Sequence, residues 1–231
     1  MTDELEQFPS PRIRDHARAG VQAAVSALPL GGTVNQLFDA VMSPSIERRQ
    51  TRWFKQLAEI VEELKDKVDD FDLEQLADNE VFVTAVLDAS RIAVTTHREE
   101  KLALLRSVLL RLATESASDE FLALQMLRFV DELEPEHFMV LKYCADPSGW
   151  YDTNGIDRSH RAAGPLRSVM NGAGLPVTGA GLEIVRSDLS ELGLVNLDGF
   201  NVTVFGDSMW RPLATELGMS LLEFVMQSDE D

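Results

Sequence analysis

Cysteine is nearly absent from this sequence, and its scarcity limits both the chemistry and the setting of the protein. The 231 residues include a single cysteine, Cys144, so no disulfide can form within the chain. A lone thiol fits a reducing compartment, and the acidic first residues differ from the basic start of a secretory signal peptide. We therefore expect a cytoplasmic protein in which Cys144 is a buried structural residue.

Basic residues are also scarce. The chain has 21 Lys and Arg residues against 39 Asp and Glu residues, which gives a formal net charge of −18. The imbalance is greater in residues 116–231, which contain 7 basic and 19 acidic side chains. Because nucleic acids and anionic lipids bind proteins largely through Lys and Arg, this charge disfavours both as partners. A protein partner or self-association is the expected alternative.

The sequence has no long hydrophobic run free of interruption. The longest uncharged run begins at Ala19 and ends at Phe38, about the length that spans a bilayer. Pro29, Gly31 and Gly32 lie in its middle. Because proline and glycine break helices, we do not expect a membrane-spanning helix here. The run leaves open one alternative, in which it inserts into a membrane as part of an effector.

Motifs of known catalytic and metal sites are missing as well. The sequence has no H-E-x-x-H, C-x-x-C, G-x-S-x-G, P-loop or G-x-G-x-x-G motif. The four histidines are not spaced as metal ligands, and the pair His97 and Glu100 is typical of a surface hydrogen bond. His137 lies near a helix start, where a solvated or capping role is expected. The sequence thus predicts no enzyme activity, no cofactor and no metal.

Apolar residues recur at helical spacing along most of the chain. From this pattern we predict a flexible segment over 1–10, a helical bundle over 11–133, a second unit over 134–226 and an acidic tail over 227–231. The pattern is continuous from Asn79 to Thr114, except that the adjacent β-branched residues Thr95 and Thr96 predict a break. The expected fold class is therefore mainly α, with antiparallel helices joined by short loops.

Basic side chains concentrate on two helices of the predicted bundle. They lie at the start of the helix that follows Ser45 and again after Thr96. We predict that they form a candidate interaction face of Arg48, Arg49, Arg52, Trp53, Lys55, Arg98 and Lys101. Three roles remain open for this face. The cations pair internally with acids such as Glu99 and Glu100, they bind an acidic protein segment, or they bind phosphate or nucleic acid.

The last ninety residues follow the order helix, helix, helix, hairpin, helix. Asp198 and Gly199 separate two short apolar segments, which is typical of a β-hairpin. Gly193 follows the third helix, where a left-handed residue commonly ends a helix. A final amphipathic helix is predicted over 211–226. The pattern therefore indicates an α+β unit with a small β-hairpin.

These segments resemble a winged-helix domain. Residues 189–195 resemble the end of its recognition helix and the entry to the wing, and residues 202–206 and 217–225 resemble its second strand and closing helix. The resemblance implies a winged-helix-like fold, which is most often used to bind DNA. The N-terminal half, including residues 30–32, 37–38 and 47–49, resembles helical segments of uncharacterised bacterial proteins, and this implies no activity.

The charge of the third helix conflicts with DNA binding. Its candidate recognition residues are Arg186, Glu183 and Ser187, and Arg186 is its only basic residue. A helix that enters the major groove needs Arg, Lys, Asn or Gln at base edges and basic flanks on phosphates. We therefore predict a non-catalytic, bacterial-type interaction or adaptor protein that uses its acidic winged-helix-like unit and its helical bundle for protein–protein contact. The alternatives are a DNA-binding transcriptional regulator and the membrane-acting effector.

Overall fold

The computed structural model of the chain describes residues 44–68, 72–114, 120–158 and 163–226. The chain divides into two compact units, Met1–Thr51 and Arg52–Asp231, and the first is described only from residue 44 onward. Several predictions lie outside the described residues. They concern the flexible segment over 1–10, the helices before residue 44, the uncharged run from Ala19 to Phe38 and the acidic tail over 227–231.

Helices dominate the described residues, so the predicted mainly α class with a small β component is confirmed. In chain order the elements are α1 (Pro44–Lys67), α2 (Leu73–Ala77), α3 (Glu80–Thr95), α4 (Glu99–Thr114), α5 (Glu120–Glu132), α6 (Pro135–Ala145), α7 (Pro147–Thr153), β1 (Gly164–Pro165), α8 (Leu166–Asn171), α9 (Ala180–Glu191), β2 (Thr203–Val204), a 3-10 helix (Gly206–Trp210) and α10 (Glu216–Val225). Among these helices, none combines the length and the apolar composition that crossing a bilayer requires.

Within the unit Arg52–Asp231, the helices before residue 134 form a bundle. Helices α3, α4 and α5 pack pairwise against one another. The break predicted at Thr95 and Thr96 is confirmed, because α3 ends at Thr95 and α4 begins at Glu99. A local hydrogen bond explains the break. The Thr96 hydroxyl accepts the backbone N–H of Arg98, so this side chain competes with the carbonyl that would accept that N–H in a continuous helix.

Among the elements from residue 134 onward, helix α6 contacts α7, α9 and α10. Helix α10 also packs against α4. The hydrophobic core consequently runs without interruption from Trp53 on α1 to Val225 on α10, across the predicted boundary between residues 133 and 134. The domain boundary between residues 133 and 134 stays a prediction. Buried residues on both sides of it belong to one hydrophobic cluster.

The small sheet differs from the predicted hairpin in its pairing. A turn does form at Asp198 and Gly199, but β2 pairs antiparallel with β1, in the register Gly164 to Val204 and Pro165 to Thr203. The segment before the turn pairs elsewhere, through a bridge between Val195 and Ala214. Leu194, Val195, Leu197 and Phe200 are all buried, so these residues serve the core instead of alternating across a hairpin.

Helix α10 begins later than the sequence predicts. It starts at Glu216, where the Thr215 hydroxyl accepts the backbone N–H of Gly218 at 3.1 Å, instead of near residue 211. Pro212 explains the delay, because proline disfavours helical geometry in the residue before it and Arg211 is extended. The preceding residues dock onto α6, where the carbonyl of Cys144 accepts the N–H groups of Leu213 and Ala214.

The predicted left-handed end of α9 is confirmed. Gly193 has a φ of 70°, and its N–H donates to the carbonyl of Ser190. The N–H of Leu194 donates to the carbonyl of Leu189 at 2.9 Å. These two bonds form a Schellman motif, which satisfies the last carbonyls of the helix and turns the chain sharply. The motif thereby directs Leu194 and Val195 into the core.

Candidate functional site

The arginines of the predicted interaction face are largely engaged within the protein. Arg52 on α1 pairs with Glu99 at the start of α4. Arg98 forms a two-pronged ion pair with Glu136 on α6, with nitrogen-to-oxygen distances of 2.8 and 2.9 Å. The hydrogen bonds from Arg98 lower the pKa of the Glu136 carboxyl below its ordinary value. These pairs join neighbouring helices, which is the internal pairing that the sequence left open.

Two residues of the predicted face are buried. Trp53 is 1% exposed, and its indole N–H donates to the hydroxyl of Ser90 on α3 at 2.9 Å. Lys101 is 4% exposed, and its ammonium contacts the carbonyl oxygens of Asp131 and Leu133 at 2.8 and 3.0 Å. It also lies 3.3 Å from a carboxylate oxygen of Glu134. Trp53 and Lys101 therefore hold the fold together and are not available at the surface.

Lys101 closes the carboxyl end of α5. The last carbonyls of a helix lack partners within that helix and carry partial negative charge, so a cation at this end is favourable. The neighbouring pocket is lined by basic Arg98 and Lys101 and by acidic Asp131 and Glu134. Since both signs of charge line it, the pocket offers no uniform field to an anion or a cation.

The remaining residues of the predicted face lie toward the start of α1. Lys55 is exposed. Arg48 is exposed and Arg49 is half-buried, and both belong to the first unit, Met1–Thr51. A role in an interaction face thus stays a prediction for these three residues, while Arg52 and Arg98 form ion pairs within the fold.

The candidate recognition helix is α9. The Glu183 carboxylate on this helix pairs with two arginines. The nitrogen-to-oxygen distance is 3.2 Å to Arg186 and 3.4 Å to Arg167 of α8. The Arg186 guanidinium also lies 5.4 Å from the ring centre of Phe200, within the range of a cation–π contact. Ser187 donates its hydroxyl hydrogen to Glu191 at 3.1 Å. The three candidate residues thus interact with neighbours in the fold, and Arg186 shares the Glu183 carboxylate with Arg167.

A third arginine of this region is likewise paired. Arg158 lies 2.7 Å from a carboxylate oxygen of Asp152 and 5.7 Å from the ring centre of Trp210. Arg158, Arg167 and Arg186 therefore each have an acidic partner in the described structure. In contrast, several apolar side chains here face solvent: Ile184 on α9 is 61% exposed, Val202 before β2 is 61% exposed and Phe205 is 68% exposed.

The sequence did not predict that His137 connects two helices. Its Nδ1 accepts the backbone N–H of Glu134 at 3.1 Å, and this hydrogen bond caps the start of α6. Capping is one of the two roles that the sequence predicts for His137. Its Nε2 lies 3.0 Å from Asp188 on α9. The Glu-x-x-His spacing at the helix start indicates the cap, but no local pattern identifies a partner 51 residues away.

Cys144 and the acids near it have structural roles. Burial raises the pKa of the Cys144 thiol to about 12, so a thiolate nucleophile is disfavoured at neutral pH. Asp146 accepts the N–H of Gly149 and the hydroxyl of Ser148, both at 2.9 Å, and these bonds lower the pKa of its carboxyl. Within the described ranges, no group of three or more potential metal ligands occurs.

Comparison with known proteins adds no family to this description. The fold and the site define a mainly α protein with a small antiparallel sheet and internally paired basic residues. No protein-family model, curated protein or solved structure matches the chain.

Proposed function

We propose that this chain is a non-catalytic, bacterial-type interaction or adaptor protein of the cytoplasm. Its working surface is a winged-helix-like unit over residues 134–226, which binds another protein or a second copy of the chain. Helices α6, α8, α9 and α10 occur in the order of the helical segments on which the resemblance rests, while β2 pairs with β1 and not with the segment before the turn.

One observation carries this proposal. Arg158 pairs with Asp152, and Arg167 and Arg186 share the carboxylate of Glu183, whereas apolar Ile184, Val202 and Phe205 are exposed. A DNA-binding surface needs free cations on phosphates, since phosphate contacts supply most of the affinity. Exposed apolar side chains gain by burial against another polypeptide, whereas DNA phosphates offer them no such contact. The surface is therefore suited to a polypeptide.

The partner is sought in the native host with a matched pair of variants. Ile184→Lys places a charge on α9, and Thr84→Lys places the same charge on α3, where Thr84 is exposed and not apolar. A tagged chain is recovered under mild conditions, and its complexes are weighed by light scattering after size exclusion. We expect a complex or an oligomer with the unchanged chain and with Thr84→Lys, and its loss with Ile184→Lys.

Two results would contradict the proposal. A monomeric mass with no partner recovered from the host would argue against an interaction protein. Binding of duplex DNA in a gel shift at about 50 mM salt would support the transcriptional regulator, because low salt favours even weak phosphate contacts. We expect no shift with any duplex, since the net charge of −18 repels the phosphate backbone.

A further inference from the structure

We propose that two copies of the chain associate by antiparallel pairing of β2 with β2, with the two Thr203 residues opposite each other. This contact goes beyond the proposed function, because it joins identical copies weakly and does not involve Ile184. Three properties of β2 carry it: an unpaired backbone edge, exposed side chains along that edge and a lack of charge.

The register of the small sheet leaves one edge of β2 unpaired. The N–H of Leu166 donates to the carbonyl of Val202 at 3.1 Å, so the backbone groups of Val202 point toward β1. Successive residues of an antiparallel strand direct these groups to opposite edges, so those of Thr203 point away from β1. Pro165, which lies opposite Thr203, has no N–H to donate. Among the described residues, the N–H and the carbonyl of Thr203 form no hydrogen bond.

The side chains along this edge are open to solvent. Val202 is 61% exposed, Phe205 is 68% exposed and Thr203 between them is exposed as well. Phe205 continues the extended backbone, with a φ of −152° and a ψ of 153°. Its N–H donates to the hydroxyl of Ser208 at 3.0 Å, so the open edge ends at this residue. Thr203 therefore offers one donor and one acceptor, which form a template for another strand.

The composition of the strand favours a second copy as the occupant. Residues 199–206 contain no charged side chain, so two identical segments can approach without like charges directly opposite each other. Edge strands that avoid such pairing commonly carry a lysine or a proline, and β2 has neither. The segment is thus compatible with its own sequence in a symmetric pair.

A two-fold axis between the two Thr203 residues satisfies the pairing rules. Each Thr203 N–H then donates to the carbonyl of the other Thr203, so the open groups of both copies are satisfied. In this register Val202 of each copy lies opposite Val204 of the other, and Phe205 lies opposite Asn201. Cross-strand pairs of β-branched residues are favourable, and the pairing covers the exposed Val202 and Phe205 of both copies.

Sedimentation equilibrium of the purified full chain measures the association. Because the ladder contains only two hydrogen bonds, we expect a Kd between about 100 µM and 1 mM. Such a dimer dissociates on size exclusion and does not enter the comparison of Ile184→Lys with Thr84→Lys. Each copy has a net charge of −18, so the Kd should fall as salt is raised from about 50 to 500 mM. A monomeric mass at about 1 mM protein in high salt would overturn the inference.

A charge swap at Thr203 tests the two-fold register. Thr203→Lys and Thr203→Glu each place like charges opposite each other at the axis, so each variant alone should associate at least about ten-fold more weakly. A mixture of the two variants places Lys opposite Glu and should restore the Kd to within about three-fold of the unchanged chain. Because both variants are compared with their own mixture, a loss of folding cannot imitate this result. A mixture as weak as the single variants would overturn the register.

The backbone edge is tested by removing its donor. Thr203→Pro deletes the N–H that points away from β1 and leaves the bonds between β1 and β2 in place, so the dimer should weaken by about five-fold or more. Thr203→Val keeps the N–H and the branched shape, and its Kd should stay within about two-fold. Equal association by the two variants would overturn the proposed hydrogen bonds.

Two side chains of equal exposure separate the β2 edge from general apolar adhesion. Phe205 and Leu87 are each 68% exposed, and Leu87 lies on α3. We expect Phe205→Ser to weaken the dimer by about three- to ten-fold and Leu87→Ser to change the Kd by less than about two-fold. Equal weakening by both variants would overturn the inference, because it would show association without a defined edge.

Failure of this inference can be told apart from failure of the proposed function. If the purified chain stays monomeric but a complex recovered from the host is lost with Ile184→Lys, only the inference is overturned. If a host protein is recovered and Thr203→Pro releases it while the purified chain stays monomeric, the β2 edge binds a strand of another protein and the second copy is overturned as its occupant.

Discussion

His137 and Asp188 connect the start of α6 to the side of α9, with 3.0 Å between Nε2 and the carboxylate oxygen. The other ring nitrogen, Nδ1, accepts the N–H of Glu134. Because a backbone N–H can only donate, Nδ1 is the acceptor in this geometry and Nε2 carries the hydrogen directed at Asp188. The ring therefore caps one helix and positions another, and α9 is the helix that carries Ile184 of the proposed interaction surface.

Replacement of His137 should destabilise the fold and loosen α9. We expect His137→Ala to lower the free energy of unfolding by about 1–2 kcal/mol, because a helix cap and a hydrogen bond to a carboxylate are both lost. Urea denaturation measures the change. Glu191→Gln on α9 is the control, and it should cost less than about 0.5 kcal/mol because Glu191 is exposed.

A double-mutant cycle isolates the contribution of the contact between the two residues. The combined loss in His137→Ala with Asp188→Ala should be smaller than the sum of the single losses, since both substitutions remove the same bond. Strict additivity would show that His137 acts only as a cap of α6.

Lys101 is expected to be more important than its place in a basic cluster suggests. Lys101→Met keeps much of the buried stem but leaves the carbonyls of Asp131 and Leu133 without their donor. An unpaired buried acceptor costs about 1–3 kcal/mol, and denaturant titration should show a loss in this range. Lys65→Met provides the control, because Lys65 forms an exposed pair with Glu62 and should cost under about 0.5 kcal/mol. Equal losses would contradict the capping role of Lys101.

The close approach at Gly218 makes α10 intolerant of a side chain there. A Cβ at this position would lie 2.1 Å from the carbonyl oxygen of Leu194 and 3.1 Å from Leu141. Gly218→Ala should therefore lower the free energy of unfolding by about 1–3 kcal/mol, despite the better helix propensity of alanine. Thermal unfolding compares it with Ser220→Ala, an exposed position on the same helix. A Tm for Gly218→Ala at or above that of the unchanged chain would contradict the packing.

Asp146 should contribute to the acid sensitivity of the fold. The pKa of its carboxyl is lowered in the folded state from the ordinary value of 3.8, mainly by the backbone N–H of Gly149. Its stabilising effect is therefore fully present above about pH 5 and is lost as the pH falls through 3.8 toward the folded pKa. Asp146→Asn keeps an oxygen that can accept these bonds but does not titrate.

The corresponding measurement is the free energy of unfolding between pH 5 and pH 3. We expect the slope against pH to be smaller for Asp146→Asn than for the unchanged chain. Identical slopes would show that the carboxylate form of Asp146 gives the folded state no advantage.

Local features of this fold were predictable from the sequence. The apolar stripes of α1 and α9, the break after Thr95 and the left-handed Gly193 all depend on residues within a few positions of one another. Such features follow from helix geometry and from the intrinsic preferences of threonine and glycine. The mainly α class follows from them directly.

The delayed start of α10 marks the limit of periodicity. The apolar spacing continues through residues 211–215, yet Pro212 keeps Arg211 extended and Thr215 supplies the cap. The effects of proline and of helix caps are local, so Pro212 and Thr215 together indicate from the sequence that α10 begins at Glu216.

Pairing over long distances along the chain could not be predicted in the same way. With 39 acidic residues in the chain, each arginine has many possible carboxylate partners. No pattern in the neighbouring sequence indicates that Arg52 pairs with Glu99, 47 positions away. Similarly, the turn at Asp198 and Gly199 was visible, but the choice of β1 as the partner of β2 was not. Packing of whole helices selects among partners that are equally compatible with local sequence. Periodicity along the chain thus specified the helices and their buried faces, whereas folding in three dimensions assigned the arginines to acids and left Ile184 exposed on α9, because those outcomes depend on which surfaces meet.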